Sequence, residues 1–299
     1  MHVTGRLDVL VVGGTGVDTI VRVDSHPVPY ADSVPVPPIR DWVGNTGNAV
    51  ALACHTLGMA TTLIDFLGED TQGALVRAEY ARRGLDFAWL PNPAGTTRSV
   101  NLVDATGRRQ SFFDPRHPGR DLPRDFYLPY VERARHVHVT ISDYAAGVFD
   151  DVGPGVSTST DLHDWDGVNP YHRRFALRAD LVFLSAVALG ERRGEVMRAI
   201  RDEGRASVVV ATSGARGVDV LDDDGPRHFP AVDPPGPVVD SNGAGDSFVA
   251  AFLWARARGG ETDDCVRAGL VGGAFACTSE GTASAFIDAT TLGGSLPGG

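Results

Sequence analysis

Residues 7–12 (Leu-Asp-Val-Leu-Val-Val) form a nearly unbroken apolar run that stops at the turn Gly13-Gly14-Thr15-Gly16. Such a short run bounded by glycine predicts a buried strand. Ile20-Val21-Arg22-Val23 alternates like a second strand before prolines crowd residues 27–38. This order argues against a dinucleotide fingerprint, whose third glycine would fall at Thr19 and whose helix is missing. From Asn48 onward the pattern switches regularly between helix and strand periods. Residues 47–58 predict a helix, 61–64 a strand, and 71–83 a helix stopped by Gly84. Residues 98–104 and 109–113, joined by Asp104-Ala105-Thr106-Gly107, predict a hairpin. Strand patterns recur at 136–140, 156–161, 181–184 and 207–211, with helices near 170–179 and 191–203. That rhythm predicts an α/β fold: a mostly parallel sheet with helices on both faces. The segments 19–42 and 98–113 have strand character but no companion helices, so they predict a small β-lid over the sheet's C-terminal edge. The Gly-rich stretch 289–299 is expected to be a disordered tail, leaving 1–288 as one domain.

Composition narrows the chemistry. The 299 residues, 42% hydrophobic, suffice for one large core. There is no lysine. That excludes a Walker A lysine, a Schiff-base lysine and the lysine of protein kinases, so any phosphate must be held by backbone N–H groups, arginines and a metal ion. A formal charge of −11 argues against a nucleic-acid partner. No stretch approaches a membrane span, and the polar start is unlike a secretory signal. Cys54, Cys265 and Cys277 lack metal-ligand spacing and point to a reducing cytoplasm.

The densest chemistry lies at Asp240-Ser241-Asn242-Gly243-Ala244-Gly245-Asp246-Ser247, directly before the apolar run 248–255. The run predicts a buried helix, which places Gly243, Ala244 and Gly245 where N–H groups lack intrahelical partners. Those donors and the helix dipole suit an anion, and glycine lets a phosphate approach closely. Asp246 on the first turn can cap the helix or accept a proton from a hydroxyl.

This segment resembles the D-T-x-G-A-G-D-x-F signature of the ribokinase-like (pfkB) carbohydrate kinases. Gly44-Asn45-Thr46-Gly47-Asn48-Ala49, followed by Leu57-Gly58 and Gly68-Glu69-Asp70-Thr71-Gln72-Gly73, is similar to the same family's N-terminal segment. The resemblance runs to about residue 287. It implies a ribokinase-like three-layer sandwich that phosphorylates a hydroxymethyl group of a sugar or sugar-like molecule from ATP. A nucleoside kinase, with Trp42, Phe112 and Phe113 gripping a base, and a non-catalytic sugar or nucleotide sensor are the alternatives.

By the same resemblance Asp246 is the base, and the Gly243, Ala244 and Gly245 amides stabilise the transferred phosphoryl. Asp18, Gly44 and Asn48 bind substrate, whereas Thr212, Gly214, Gly217, Asn242 and Gly281 bind the nucleotide. Asp240 and the Ser241 carbonyl would ligate metal, with Mg²⁺ and a monovalent cation such as K⁺ as cofactors, and the lid would support a homodimer. Three departures stand out: Val43 replaces a glycine, Ser241 replaces threonine, and Ser185 and Ala188 replace the family's N-x-x-E pair. Val43 is expected to narrow the pocket. A metal at Asp161-Leu162-His163-Asp164-Trp165-Asp166 is disfavoured by its tight spacing, and His136 and His138 are expected to be structural.

Overall fold

The computed structural model describes residues 5–105, 107–279, 281 and 285–296. From the N-terminus, β1 (Leu7–Val12) leads to β2 (Gly16–Arg22), β3 (Arg40–Gly44), α1 (Thr46–Thr56), β4 (Thr61–Leu67), α2 (Thr71–Arg83) and β5 (Asp86–Pro91). The hairpin β6 (Arg98–Val103) and β7 (Arg109–Asp114) comes next. It is followed by α3 (Arg124–Val131), β8 (Ala134–Val139), β9 (Ser157–Asp161), α4 (Pro170–Ala176), β10 (Leu181–Ser185) and α5 (Arg193–Glu203). Strands β11 (Val208–Thr212), β12 (Val218–Asp222) and β13 (Gly225–Phe229) precede α6 (Ala244–Ala257), α7 (Thr262–Ala276) and α8 (Ala289–Gly294).

Among these residues nine strands form one sheet in the order β13-β12-β11-β10-β9-β8-β1-β4-β5. Its pairings are parallel from β5 to β11 and antiparallel beyond. Strand β1 explains the layering. Val9 and Val11 face a core shared with α1, α2, α6 and α7, while Leu10 and Val12 face one shared with α3, α4 and α5. A strand buried on both faces is apolar along the buried length, hence the run of β1 from Val9 to Val12, with Asp8 at its partly buried start. The result is the expected sandwich of three layers.

Gly13 (φ 81°) and Gly14 (φ 79°) turn the chain out of this sheet in left-handed conformations. A Cβ on Gly14 would lie 2.6 Å from the Gly47 amide nitrogen, so the turn and the start of α1 pack backbone to backbone. The excursion builds a second sheet of four strands, β3-β2-β6-β7, which is the predicted lid. Helix α2 follows its sequence signals closely: Asp70 Oδ1 accepts from Gly73 N at 2.8 Å, and Gly84 (φ 73°) ends it.

The C-terminal stretch departs from expectation. Residues 289–294 were expected to be disordered but form α8, capped by Asp288, whose Oδ1 accepts from Thr291 N at 2.8 Å. Leu292 and Ile287 are buried in the main core, and this apolar anchorage outweighs the local glycine content. Residues 297–299 of that stretch lie outside the described residues.

Candidate active site beneath the lid

Helix α6 begins at Gly243, whose φ of 77° is left-handed, and no side chain caps it. Ala244 N donates to the Ser241 carbonyl at 3.3 Å and Ser247 N to the Gly243 carbonyl at 2.9 Å. The uncapped first turn keeps N–H groups directed at whatever occupies the site. Asp246 lies on that turn with its side chain nearly buried, 8% exposed.

Two further carboxylates, Asp161 at the end of β9 and Asp18 on lid strand β2, are near enough for their charges to be felt at Asp246 on α6. Burial, and then the negative charges of Asp161 and Asp18, hold Asp246 well above the usual carboxylate range; the Arg109 guanidinium pulls the other way. This is the pattern of a carboxylate readied to accept a proton once cationic or proton-donating ligands arrive. Asp161 Oδ1 accepts from His163 N at 2.9 Å.

Glycine at position 44 has a concrete cause. A Cβ there would lie 2.1 Å from Asp18 Oδ2, so the missing side chain is the space that the Asp18 carboxylate occupies. Asn48 does not cap α1. Asn45 does, accepting from Thr46 N at 2.9 Å, and Asn48 sits one turn in, fully buried. Its Nδ2 donates to the Val43 carbonyl at 3.2 Å, while its Oδ1 has no partner among the described residues. A buried, unmatched carbonyl oxygen is costly unless a ligand hydroxyl satisfies it. Val43 itself belongs to the core cluster with Val17 and Val50, so its side chain fills the core and the expected narrowing of the pocket is not seen.

Asp240 organises the loop before α6. Its Oδ1 accepts from Asn242 N (3.0 Å), and its Oδ2 from Asn242 Nδ2 and Gly281 N (both 3.1 Å). Gly281 also borders a cleft under the lid, where a Cβ on it would be 3.9 Å from Trp42. Residues 280 and 282–284, on either side of Gly281, lie outside the described residues. Thr212, Gly214 and Gly217 lie in the turn from β11 to β12, at the sheet edge that Asp161 shares. Gly217 (φ 92°) is required by packing too, since a Cβ would meet the Phe229 carbonyl at 2.1 Å.

Where the family's N-x-x-E pair would be, Ser185 Oγ accepts from Val187 N at 3.3 Å and Ala188 is exposed. Among the described residues no group of three or more His, Cys, Asp or Glu is placed to hold a metal ion. His136 and His138 instead bond to Ser157 and Ser159 inside the sheet.

One further side chain reaches the candidate site. Arg109 on β7 donates from Nη1 to Asn242 Oδ1 at 2.7 Å, tying the lid to the loop before α6. Strand register could have found it. Asp18 pairs with Ser99, and Arg22 with Val103, which in turn pairs with Arg109, so Asp18 and Arg109 share the inner lid face.

The pfkB carbohydrate kinase family model matches residues 178–289. An acarbose 7(IV)-phosphotransferase from an Actinoplanes species is 46% identical over 290 residues, 95% of this chain and 97% of that one. The chain belongs to the pfkB family of carbohydrate kinases. A solved microbiome-derived acarbose kinase superposes with a TM-score of 0.90 at 48% identity, covering 96% of this chain and 98% of its own. Ribokinase from Arabidopsis thaliana, complexed with ribose and ATP, shares the fold at a TM-score of 0.80 and 19% identity, over 96% of this chain and 97% of its own. Membership implies ATP as the kinase's phosphate donor. No described helix of the kinase is long and apolar enough to cross a membrane.

Proposed function

We propose that this kinase transfers the γ-phosphoryl group of ATP to a hydroxymethyl group of acarbose or a closely similar pseudo-oligosaccharide. The observation that carries this reading is the 46% identity to an acarbose 7(IV)-phosphotransferase along nearly the whole of both chains. Asp246 is the base that takes the hydroxyl proton as the oxygen attacks phosphorus. The Gly243, Ala244 and Gly245 amides stabilise charge on the phosphoryl in flight, a role in which pre-aimed donors are worth most because nothing must reorganise. Asp18 and the Asn48 carbonyl orient the sugar hydroxyls, and lid closure keeps water from competing as acceptor. Thr212, Gly214, Gly217, Asn242 and Gly281 border the nucleotide.

Among the described residues no group of three or more His, Cys, Asp or Glu is placed to hold Mg²⁺ on its own. Mg²⁺ fits as part of the MgATP substrate, where it would neutralise phosphate charge while keeping most of its waters. For K⁺, Asp240 and the Ser241 carbonyl would be ligands, although both already accept N–H bonds. A second copy would meet the outer lid face, where the paired Val100 and Phe112 are exposed.

Incubating the purified protein with ATP and acarbose, and following the product by phosphorus NMR and mass spectrometry, tests the reading. One phosphate on acarbose is expected. Transfer to nucleosides alone, or none to any sugar despite nucleotide binding, would overturn it.

A further inference from the structure

A line of side chains leads outward from Asp18 along the inner lid face. In the β2–β3 ladder Asp18 pairs with Trp42 and Ile20 with Arg40. Cross-strand partners point to one face, and so do residues two apart on a strand. Trp42, half-buried, therefore stands beside the carboxylate that reads the acceptor. Ile20 and Arg40 lie roughly 7 Å further along, and Arg22 roughly 13 Å, at about 3.3 Å of rise per residue. These residues border a cleft closed by Pro38 and by Gly281 on the opposite wall. At about 150 Å³ it falls below the roughly 300–1,000 Å³ of a complete small-molecule site, and it adjoins Asp18 through Trp42, which lines it and pairs with Asp18 across the ladder.

A second observation points to a ligand. Asn101, the β6 partner of Ile20, is 6% exposed, and its Oδ1 has no hydrogen-bond partner among the described residues. Its place in the ladder puts it on the same inner face. An aromatic plate, an apolar side chain and an unmatched amide oxygen in one row suit a carbohydrate ring, with its apolar C–H face and its rim of hydroxyl donors. Trp42 adjoins Asp18, but the row continues to Arg40 and Arg22, roughly 7–13 Å further out, past the ring being phosphorylated.

We propose that this row is a subsite for sugar rings beyond the one phosphorylated, with Trp42 as stacking platform and Asn101 Oδ1 as hydroxyl acceptor. The inference rests on the reading of the chain as a kinase of acarbose-like substrates. It makes Trp42 and Asn101 determinants of acceptor length.

The test uses acarbose and its shortened fragments that keep the phosphorylated ring and carry none to two of the others. Wild type, Trp42→Ala, Trp42→Phe and Asn101→Leu are compared by kcat/KM, with ATP binding by calorimetry as the control for folding. Wild-type kcat/KM should rise with added rings. Trp42→Ala should abolish that rise, losing about tenfold on acarbose and less than about twofold on the single ring, and mainly in KM. Trp42→Phe should recover most of it, and Asn101→Leu should lose a smaller part. Turnover of the single ring without any wild-type gain from further rings, or equal losses across the series in Trp42→Ala, would overturn the subsite while leaving the kinase reading intact. Failure of wild type to phosphorylate any member would bring down both.

Discussion

Arg109 Nη1 lies 2.7 Å from Asn242 Oδ1, so a lid strand and the loop before α6 are joined by one hydrogen bond across 133 positions of chain. Asn242 is held in turn by Asp240, whose Oδ2 accepts from both Asn242 Nδ2 and Gly281 N. The lid, the turn before α6 and Gly281 are thus connected through hydrogen bonds. The same guanidinium is the cation that offsets the charges raising Asp246.

Two effects of Arg109 can therefore be separated. Arg109→Gln removes the charge, which should raise the Asp246 pKa further and move the acid limb of the kcat/KM profile to higher pH. Arg109→Lys keeps the charge without the guanidinium geometry, so the limb should return towards its wild-type position while turnover stays low. Identical pH profiles for wild type and Arg109→Gln would show that the charge is not felt at the base.

Asp246→Asn should cut turnover by about 10²–10⁴-fold, the usual contribution of a general base, with ATP binding nearly unchanged. Steady-state assays and calorimetry check this together. Retention of more than about a tenth of wild-type turnover would place the base elsewhere.

Gly44→Ala offers a test of whether Asp18 reads the sugar. Its Cβ would fall 2.1 Å from Asp18 Oδ2 and 2.6 Å from Cγ, so the carboxylate must swing away. The displaced group is the end of a side chain, so the fold should survive. Sugar affinity should fall by about tenfold or more, resembling Asp18→Ala, while ATP affinity holds. Calorimetric titration with acarbose and ATP separately reads both, and equal losses would mean general damage to the lid.

What could be read from the sequence follows from how local each signal is. The G-A-G-D turn, the capped helix at 71–83 and the apolar strands β1 and β10 encode themselves within a few residues. The helix predicted over 47–58 begins at Thr46 and is capped by Asn45, a residue outside the periodic run. Strand β5 was hidden by its ending in Pro91, which an edge strand tolerates. Helix α8 was hidden by glycines, and only the burial of Leu292 against distant residues reveals why it is ordered. Arg109 and Asn101 belong to the site through lid register and docking, which no nearby residue specifies.

The buried histidines give a last prediction, for stability. His136 Nδ1 and Nε2 lie 2.7 Å from Ser157 Oγ and Ser159 Oγ, and His138 Nδ1 lies 2.8 Å from the same Ser159 Oγ. One serine hydroxyl bridges the two rings, donating to one and accepting from the other, which suits neutral imidazoles. Burial pushes His136 down to about 3, helped by the charges of His138 and Arg256. It pushes His138 down to about 4, although Asp161 favours its proton and His163 opposes it. With folded values below the ordinary 6.5, the unfolded chain binds these protons first. The stability they allow is complete above about pH 6.5 and is lost as pH falls towards 4. Asp65, buried and raised to about 6, acts in the opposite sense, so the wild-type profile sums both. Comparing variants isolates the histidine contribution. Between pH 7 and 5, His136→Gln should lose about 2 kcal/mol less stability than wild type in urea unfolding, whatever its cost at pH 7. Parallel losses in the two proteins would mean that His136 already carries its proton, or meets water, in the folded state.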